Sequence, residues 1–167
     1  MKLYMKQKVF SWTEKFTVKD ESGNDKYYVA GQFFSWGKKL HVTDLNGKEV
    51  AFISQKVFSF LPRYFVLIDG EQVAEIVKEF TFFVPKYSVR GLGWTIEGNL
   101  MAHDYTINKD GAPIVTIHKE WISWGDSYSL DIANPSDEIV ALGVVLAIDC
   151  VLAQQHASST SSGYQHH

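Results

Sequence analysis

Apolar and polar residues alternate along most of the chain, most clearly in segments 16–18, 40–42, 64–68, 105–107 and 114–117. Alternation with a period of two predicts strands that have one buried face. The strands are separated by dipeptides typical of tight hairpin turns, namely Asn46-Gly47, Asp69-Gly70 and Asp110-Gly111. We therefore predict an all-β fold in which neighbouring strands are antiparallel.

A degenerate repeat accompanies this alternation. Phe10-Ser11-Trp12, Phe34-Ser35-Trp36 and Phe58-Ser59-Phe60 start 24 residues apart, and Ile122-Ser123-Trp124 has the same texture. This spacing predicts a repeated strand-turn-strand unit that cannot bury its apolar face alone. Closure of the sheet into a barrel would bury that face and remove the exposed edges.

The pattern changes after Ile132, where the sequence predicts a helix over about 135–155. Asn134 is a suitable N-cap, and Pro135 suits the first helical turn. Every residue from 139 to 148 is apolar or glycine, which is typical of a helix surrounded on all sides. The apolar run 139–153 is shorter than the ~20 residues of a membrane-spanning helix. We therefore expect the helix to fill the barrel.

Asp149 interrupts this apolar run. A carboxylate enclosed without a partner would be costly to keep ionised. The sequence therefore predicts that Asp149 lies at the barrel mouth, reached by water or by a lysine or arginine, and that it has a positional role.

The length of 167 residues predicts one domain, 1–157, followed by a disordered tail, 158–167, rich in serine, threonine, glycine and histidine. Cys150 is the single cysteine and cannot form an intrachain disulfide. The N-terminus lacks the continuous apolar region of a secretory signal. These features predict a cytoplasmic protein.

Composition and motif spacing argue against several functions. The formal net charge of -3 and pI near 6.0 make nucleic acid an unfavourable partner. His41, His103 and His118 lack metal-site spacing, and Gly91-Leu92-Gly93 lacks the third glycine of a dinucleotide-binding motif, which favours a strand kink there. No Gly-x-Ser-x-Gly motif is present. We therefore expect neither an enzyme nor a metal or cofactor.

Trp12, Trp36 and Trp124 each follow a serine at the end of a predicted strand, which indicates that they lie near one barrel rim. Two interpretations remain open. The tryptophans could form a surface for a membrane interface or a protein partner. They could instead pack over the barrel mouth and cap the helix.

Two groups of cations are candidates for binding a lipid headgroup. Lys86 and Arg90 fall on one strand face by the period of two, where two cations could bind an anion. The alternative is a solvated face whose charges discourage edge pairing. Lys38 and Lys39 form the second group.

The long hairpins, the texture of segment 42–50 (Val-Thr-Asp-Leu-Asn-Gly-Lys-Glu-Val) and the apolar C-terminal helix together resemble the LURP-one-related proteins, which are grouped with tubby C-terminal domains and phospholipid scramblases. The resemblance covers about residues 3–155. It implies a twelve-stranded antiparallel barrel around a hydrophobic helix. It also implies a binding or scaffold module that associates weakly with membrane lipid or another amphipathic ligand, with a protein-interaction module as the alternative.

The resemblance does not carry the phosphoinositide site of tubby domains. If Gly31 is matched to the glycine before the basic pair of that site, Gln32 and Phe34 occupy the positions of the cations. Neither side chain can form an ion pair with phosphate. Lys38 and Lys39 are the nearest substitutes.

Overall fold

A computed structural model of the chain describes residues 1–6, 15–32, 36–81, 86–122 and 125–161. These residues form twelve strands, two short 3-10 turns (Leu100–Ala102 and Pro135–Asp137) and one helix, α1 (Glu138–Ser161). The strands are β1 Lys2–Lys6, β2 Lys15–Lys19, β3 Asp25–Gly31, β4 Lys39–Asp44, β5 Glu49–Gln55, β6 Arg63–Ile68, β7 Glu71–Glu79, β8 Lys86–Arg90, β9 Trp94–Asn99, β10 Asp104–Lys109, β11 Ala112–Ile122 and β12 Gly125–Ile132.

All twelve strands belong to one antiparallel sheet that nearly closes into a barrel. The sheet runs from β8 back to β1, then from β12 back to β9, because β1 pairs with β12. The two edge strands, β8 and β9, are consecutive in sequence and lie close together. The predicted antiparallel barrel of about twelve strands around a C-terminal helix is therefore confirmed.

The predicted hairpin turns connect strands as expected. Asp69 and Gly70 have φ of 49° and 81°, and Asp110 and Gly111 have φ of 51° and 79°. Two successive positive φ angles match the twist of the flanking strands, which is why glycine follows aspartate there. The expected strand kink at 91–93 is wrong, because these residues form the turn between β8 and β9.

Helix α1 begins as the sequence predicts, since the Asn134 side chain accepts a hydrogen bond from the Ser136 backbone N–H at 3.1 Å. Twelve successive residues, 141–152, are buried, and the Cys150 thiol lies within that run. Gly143 permits close packing, because a Cβ there would lie 2.7 Å from Cγ1 of Val66 in β6. The helix ends at Ser161, beyond the predicted end at 155, so the predicted tail begins within it.

The helix runs from one end of the barrel to the other. At its start, Glu138 accepts a hydrogen bond from the Tyr27 hydroxyl at 2.9 Å and pairs with Lys26 at 2.6 Å, both on the first residues of β3. Near its end, Gln154 accepts a hydrogen bond from the hydroxyl of Tyr64, at the start of β6. Sixteen residues separate Glu138 from Gln154, or roughly 24 Å at the standard helical rise. No helix in the described part of the chain has the length and apolar character needed to cross a membrane.

Candidate functional site at the aromatic end of the barrel

Four aromatic side chains project into solvent from loops at the barrel end where α1 finishes. Trp36 is 81% exposed, Phe58 and Phe60 are each 94% exposed, and Phe80 is 67% exposed. They belong to the β3–β4, β5–β6 and β7–β8 connections, and alternate connections of an antiparallel sheet lie at the same end. We call these four residues the aromatic rim. Such a concentration of exposed aromatic area is typical of an interaction surface.

The loops that carry the rim are packed against one another. Gly37 has φ of 75°, and a Cβ there would approach Cγ2 of Val57 to 3.0 Å. The backbone N–H of Lys38 donates to Gln55 Oε1 at 3.0 Å, and the N–H of Gln55 donates to the carbonyl of Lys38 at 2.8 Å. These contacts place Trp36 and Phe58 on adjoining loops, so this part of the rim is a continuous surface.

Phe58 adopts an unusual backbone conformation with φ of 60°. The left-handed region is unfavourable for a bulky residue and is normally occupied by glycine or asparagine. In this conformation Phe58 nevertheless has almost fully exposed side-chain surface, so apolar burial within the chain does not offset the strain. Strain of this kind tends to occur at functional sites.

Lysines flank the aromatic rim. Lys39 begins β4 directly after the Trp36 loop, Lys56 lies in the Phe58 loop, and Lys86 begins β8 beyond the Phe80 loop. Among the described residues, these three lysines have no acidic side chain within ion-pair distance. Lys38 is more enclosed, and desolvation lowers the pKa of its ammonium group. The sequence contains no acidic residue in segments 36–39 or 55–63.

Polar side chains of α1 lie beside the rim. Gln154 Oε1 accepts hydrogen bonds from the Tyr64 hydroxyl at 3.1 Å and from Gln55 Nε2 at 3.2 Å. Gln155 Oε1 accepts a hydrogen bond from the Tyr87 hydroxyl. The helix is thus tied to β5, β6 and β8 at this end, which gives the surrounding loops a fixed base.

The tryptophan prediction can be followed for Trp36, which points into solvent and does not cap the barrel mouth. Trp12 and Trp124 lie outside the described residues. Phe58 and Phe60 were visible in the 24-residue repeat but were not singled out as site residues. Phe80 was missed, although its position before a predicted strand, like that of Trp36, could have identified it.

Lys86 and Arg90 are both exposed on the same face of β8, but they differ in their partners. Glu79 Oε1 accepts hydrogen bonds from Ser88 Oγ at 2.6 Å and from an Arg90 guanidinium N–H at 3.3 Å. These two bonds, that of Ser88 foremost, lower the pKa of Glu79 and keep it ionised beside Arg90. Arg90 therefore has a partner within the barrel wall, and only Lys86 of the pair presents its charge at the aromatic end.

A second polar cluster surrounds Asp149 inside the barrel. Asp149 is only 4% exposed, and the Tyr128 hydroxyl donates a hydrogen bond to its Oδ2. His103 Nε2 lies 3.4 Å from Asp149 Oδ1, and the His103 ring stacks on Tyr128 with centroids 4.5 Å apart. The prediction that Asp149 lies at the mouth beside a lysine or arginine is wrong, because the helix continues beyond it and its partners come from β12 and the β9–β10 turn.

The Tyr105, Tyr128 and Asp149 side chains of this cluster are buried. Burial, and next the nearby Asp149 charge, raise the pKa of the Tyr128 and Tyr105 hydroxyls, so both stay protonated at neutral pH. Within the described part of the chain, Tyr105 Oη has no hydrogen-bond partner, and no group of three or more acidic, histidine or cysteine side chains could hold a metal ion. The geometry suits the cluster to fixing α1 against the wall.

Comparisons with known proteins agree with this architecture. The model of the family described as LURP-one-related matches residues 1–149. The uncharacterized protein YxjI of Bacillus subtilis (strain 168) is 38% identical over 152 residues, covering 91% of this chain and 94% of YxjI. The X-ray structure of an Arabidopsis thaliana protein aligns with a TM-score of 0.61 at 14% identity, covering 89% of this chain and 90% of that one. The last similarity concerns the fold alone.

Proposed function

This chain belongs to the LURP-one-related family, and we propose that it acts as a non-catalytic binding module whose aromatic end attaches reversibly to the surface of a lipid membrane. The observation that carries the proposal is the aromatic rim, in which Trp36, Phe58, Phe60 and Phe80 are all more than half exposed on loops at one barrel end. Aromatic side chains favour the interface between water and lipid, where the ring leaves water without requiring deep insertion.

The size of the rim fits weak attachment. Full removal of one phenylalanine from water contributes on the order of 1.5–3 kcal/mol, and partial immersion in an interface contributes less. Four such side chains together can support reversible binding, whereas permanent anchoring requires a much larger apolar surface. The fixed base formed by Gln154 and its partners favours binding, because little conformational freedom of that base has to be lost.

A structural role for the buried polar cluster supports the non-catalytic part of the proposal. Asp149 and Tyr128 are at least nine-tenths buried, and each is engaged by the other. A cytoplasmic location accompanies the proposal, because the single thiol, Cys150, stays reduced there.

Co-sedimentation with phosphatidylcholine vesicles tests the proposal. We expect the double variant Phe58→Asn/Phe60→Ser to bind at least about tenfold more weakly than the parent, since two exposed rings leave the interface. Leu45→Ser is the matched control, because Leu45 is 58% exposed on the β4–β5 turn at the opposite end and should bind like the parent.

Thermal unfolding of each variant checks that the fold is retained. Equal sedimentation of the parent and the double variant would contradict the proposal. If the parent ignored vesicles while the same double variant lost a defined protein complex, the rim would belong to a protein-interaction module.

A further inference from the structure

Acidic residues are concentrated at the barrel end where α1 begins. The described segments 19–26, 44–49, 69–71, 109–112 and 131–138 contain eleven aspartates and glutamates and four lysines. These segments are the turns opposite the aromatic rim, together with the start of α1. We call this region the acidic end.

The segments that carry the aromatic rim have the opposite balance, whereas Asp104 and Asp126 lie elsewhere at the same end. Described segments 36–39, 55–63 and 78–81, together with Lys86, contain six basic residues and one acidic residue, Glu79. Arg63 pairs with Glu75 at 3.1 Å, and Glu79 pairs with Arg90 at 3.3 Å. Lys39, Lys56 and Lys86 remain as the positive charges that flank the aromatic rim.

The two ends are far enough apart to act separately. The roughly 24 Å between Glu138 and Gln154 along α1 is about three times the Debye length of ~8 Å at physiological ionic strength. A surface that touches the aromatic rim is therefore screened from the acidic end. The formal net charge of -3 conceals a locally positive docking face.

We infer that the charge separation directs the aromatic end toward membranes that carry anionic phospholipid headgroups, with the acidic end pointing away from the lipid. This inference rests on the proposed function and names its partner. The aromatic rings supply contact with the interface, and Lys39, Lys56 and Lys86 supply the preference for negative charge. Each lysine near such a surface strengthens attachment roughly fivefold.

Two charge-reversal variants that have the same net charge as each other test the inference. Lys39→Glu/Lys56→Glu changes the aromatic end, and Lys48→Glu/Lys109→Glu changes the acidic end by the same number of charges. Binding is measured by co-sedimentation with phosphatidylcholine vesicles with and without phosphatidylserine. We expect the first variant to lose at least about 25-fold in affinity for the anionic vesicles, and the second less than about twofold. Both variants should bind the neutral vesicles like the parent.

Four outcomes have distinct meanings. A parent that binds both vesicle types equally at low salt overturns the anionic preference while the proposed membrane function stands. A parent that binds neither vesicle type overturns the proposed function itself. Equal losses in the two variants overturn the orientation, because net charge alone would then control binding. The inference is supported if only Lys39→Glu/Lys56→Glu loses affinity for the anionic vesicles. Added salt should then weaken the binding of the parent to the same vesicles.

Discussion

The buried contact between Tyr128 and Asp149 makes a sharp prediction about stability. Tyr128→Phe removes the hydroxyl that donates to Asp149 Oδ2 and leaves a buried carboxylate with the His103 contact at 3.4 Å. Hydrogen bonds to charged groups contribute about 1.5–3 kcal/mol, and a buried group left without its partner incurs a similar cost. We therefore expect the free energy of unfolding to fall by about 3 kcal/mol, out of the ~5–15 kcal/mol typical of a domain.

A double-mutant cycle isolates the contact. Asp149→Leu should also destabilise the protein, because the Tyr128 hydroxyl then loses its acceptor in an apolar interior. The combination Tyr128→Phe/Asp149→Leu removes both polar partners and should cost less than the sum of the single changes by at least about 1 kcal/mol. Urea unfolding followed by circular dichroism, with unchanged m-values, provides the measurement. If the loss of unfolding free energy in the double variant equals the sum of the two single losses, the account of the cluster as a coupled buried network is refuted.

Three further predictions concern pH, packing and strain. Burial raises the pKa of the Cys150 thiol. The thiol therefore stays neutral in the folded protein but ionises in the unfolded chain above pH ~8.5, so the free energy of unfolding should fall by up to about 1.4 kcal/mol per pH unit above that value. In urea titrations between pH 8 and 9.5, a Cys150→Ala variant should lack this loss. Gly143→Ala should lower the free energy of unfolding by about 1–3 kcal/mol despite the better helix propensity of alanine, because the added Cβ meets Val66. Adding Val66→Ala to this variant should recover part of the lost stability. A Gly143→Ala variant more stable than the parent would contradict the close packing. Phe58→Asn should raise the unfolding free energy by about 1 kcal/mol by relieving the positive φ, and a lower thermal midpoint would count against strain there.

Local patterns determined most of the architecture. Alternation of period two predicted strands that the structure contains, such as β4 and β10, because a half-buried sheet requires this pattern wherever it occurs. The continuous apolar run after Asn134 predicted the helix and its enclosure, since no polar face was left for water. These features depend on residues close together in sequence, which is why the sequence suffices to predict them.

The end of the helix and the environment of Asp149 depended on tertiary structure. The end of the apolar run at residue 153 suggested that the helix would finish by about 155, but hydrogen bonds from Tyr64 and Tyr87 hold Gln154 and Gln155 and the helix continues past them. Nothing in the residues near Asp149 indicates Tyr128 or the β9–β10 turn as its partners, because they approach only when the sheet wraps around α1.

The candidate site was determined jointly by sequence and topology. The 24-residue repeat at Phe34 and Phe58 predicted a repeated strand-turn-strand unit, and two hairpin-connected strands return the chain to the same side of the sheet. The sequence could not decide whether Trp36 turns inward or outward, because that depends on packing between loops distant in sequence. The separation of charge was likewise present in the sequence but concealed in a small net charge. It became a feature of the molecule only when alternate turns were assigned to opposite ends of one barrel.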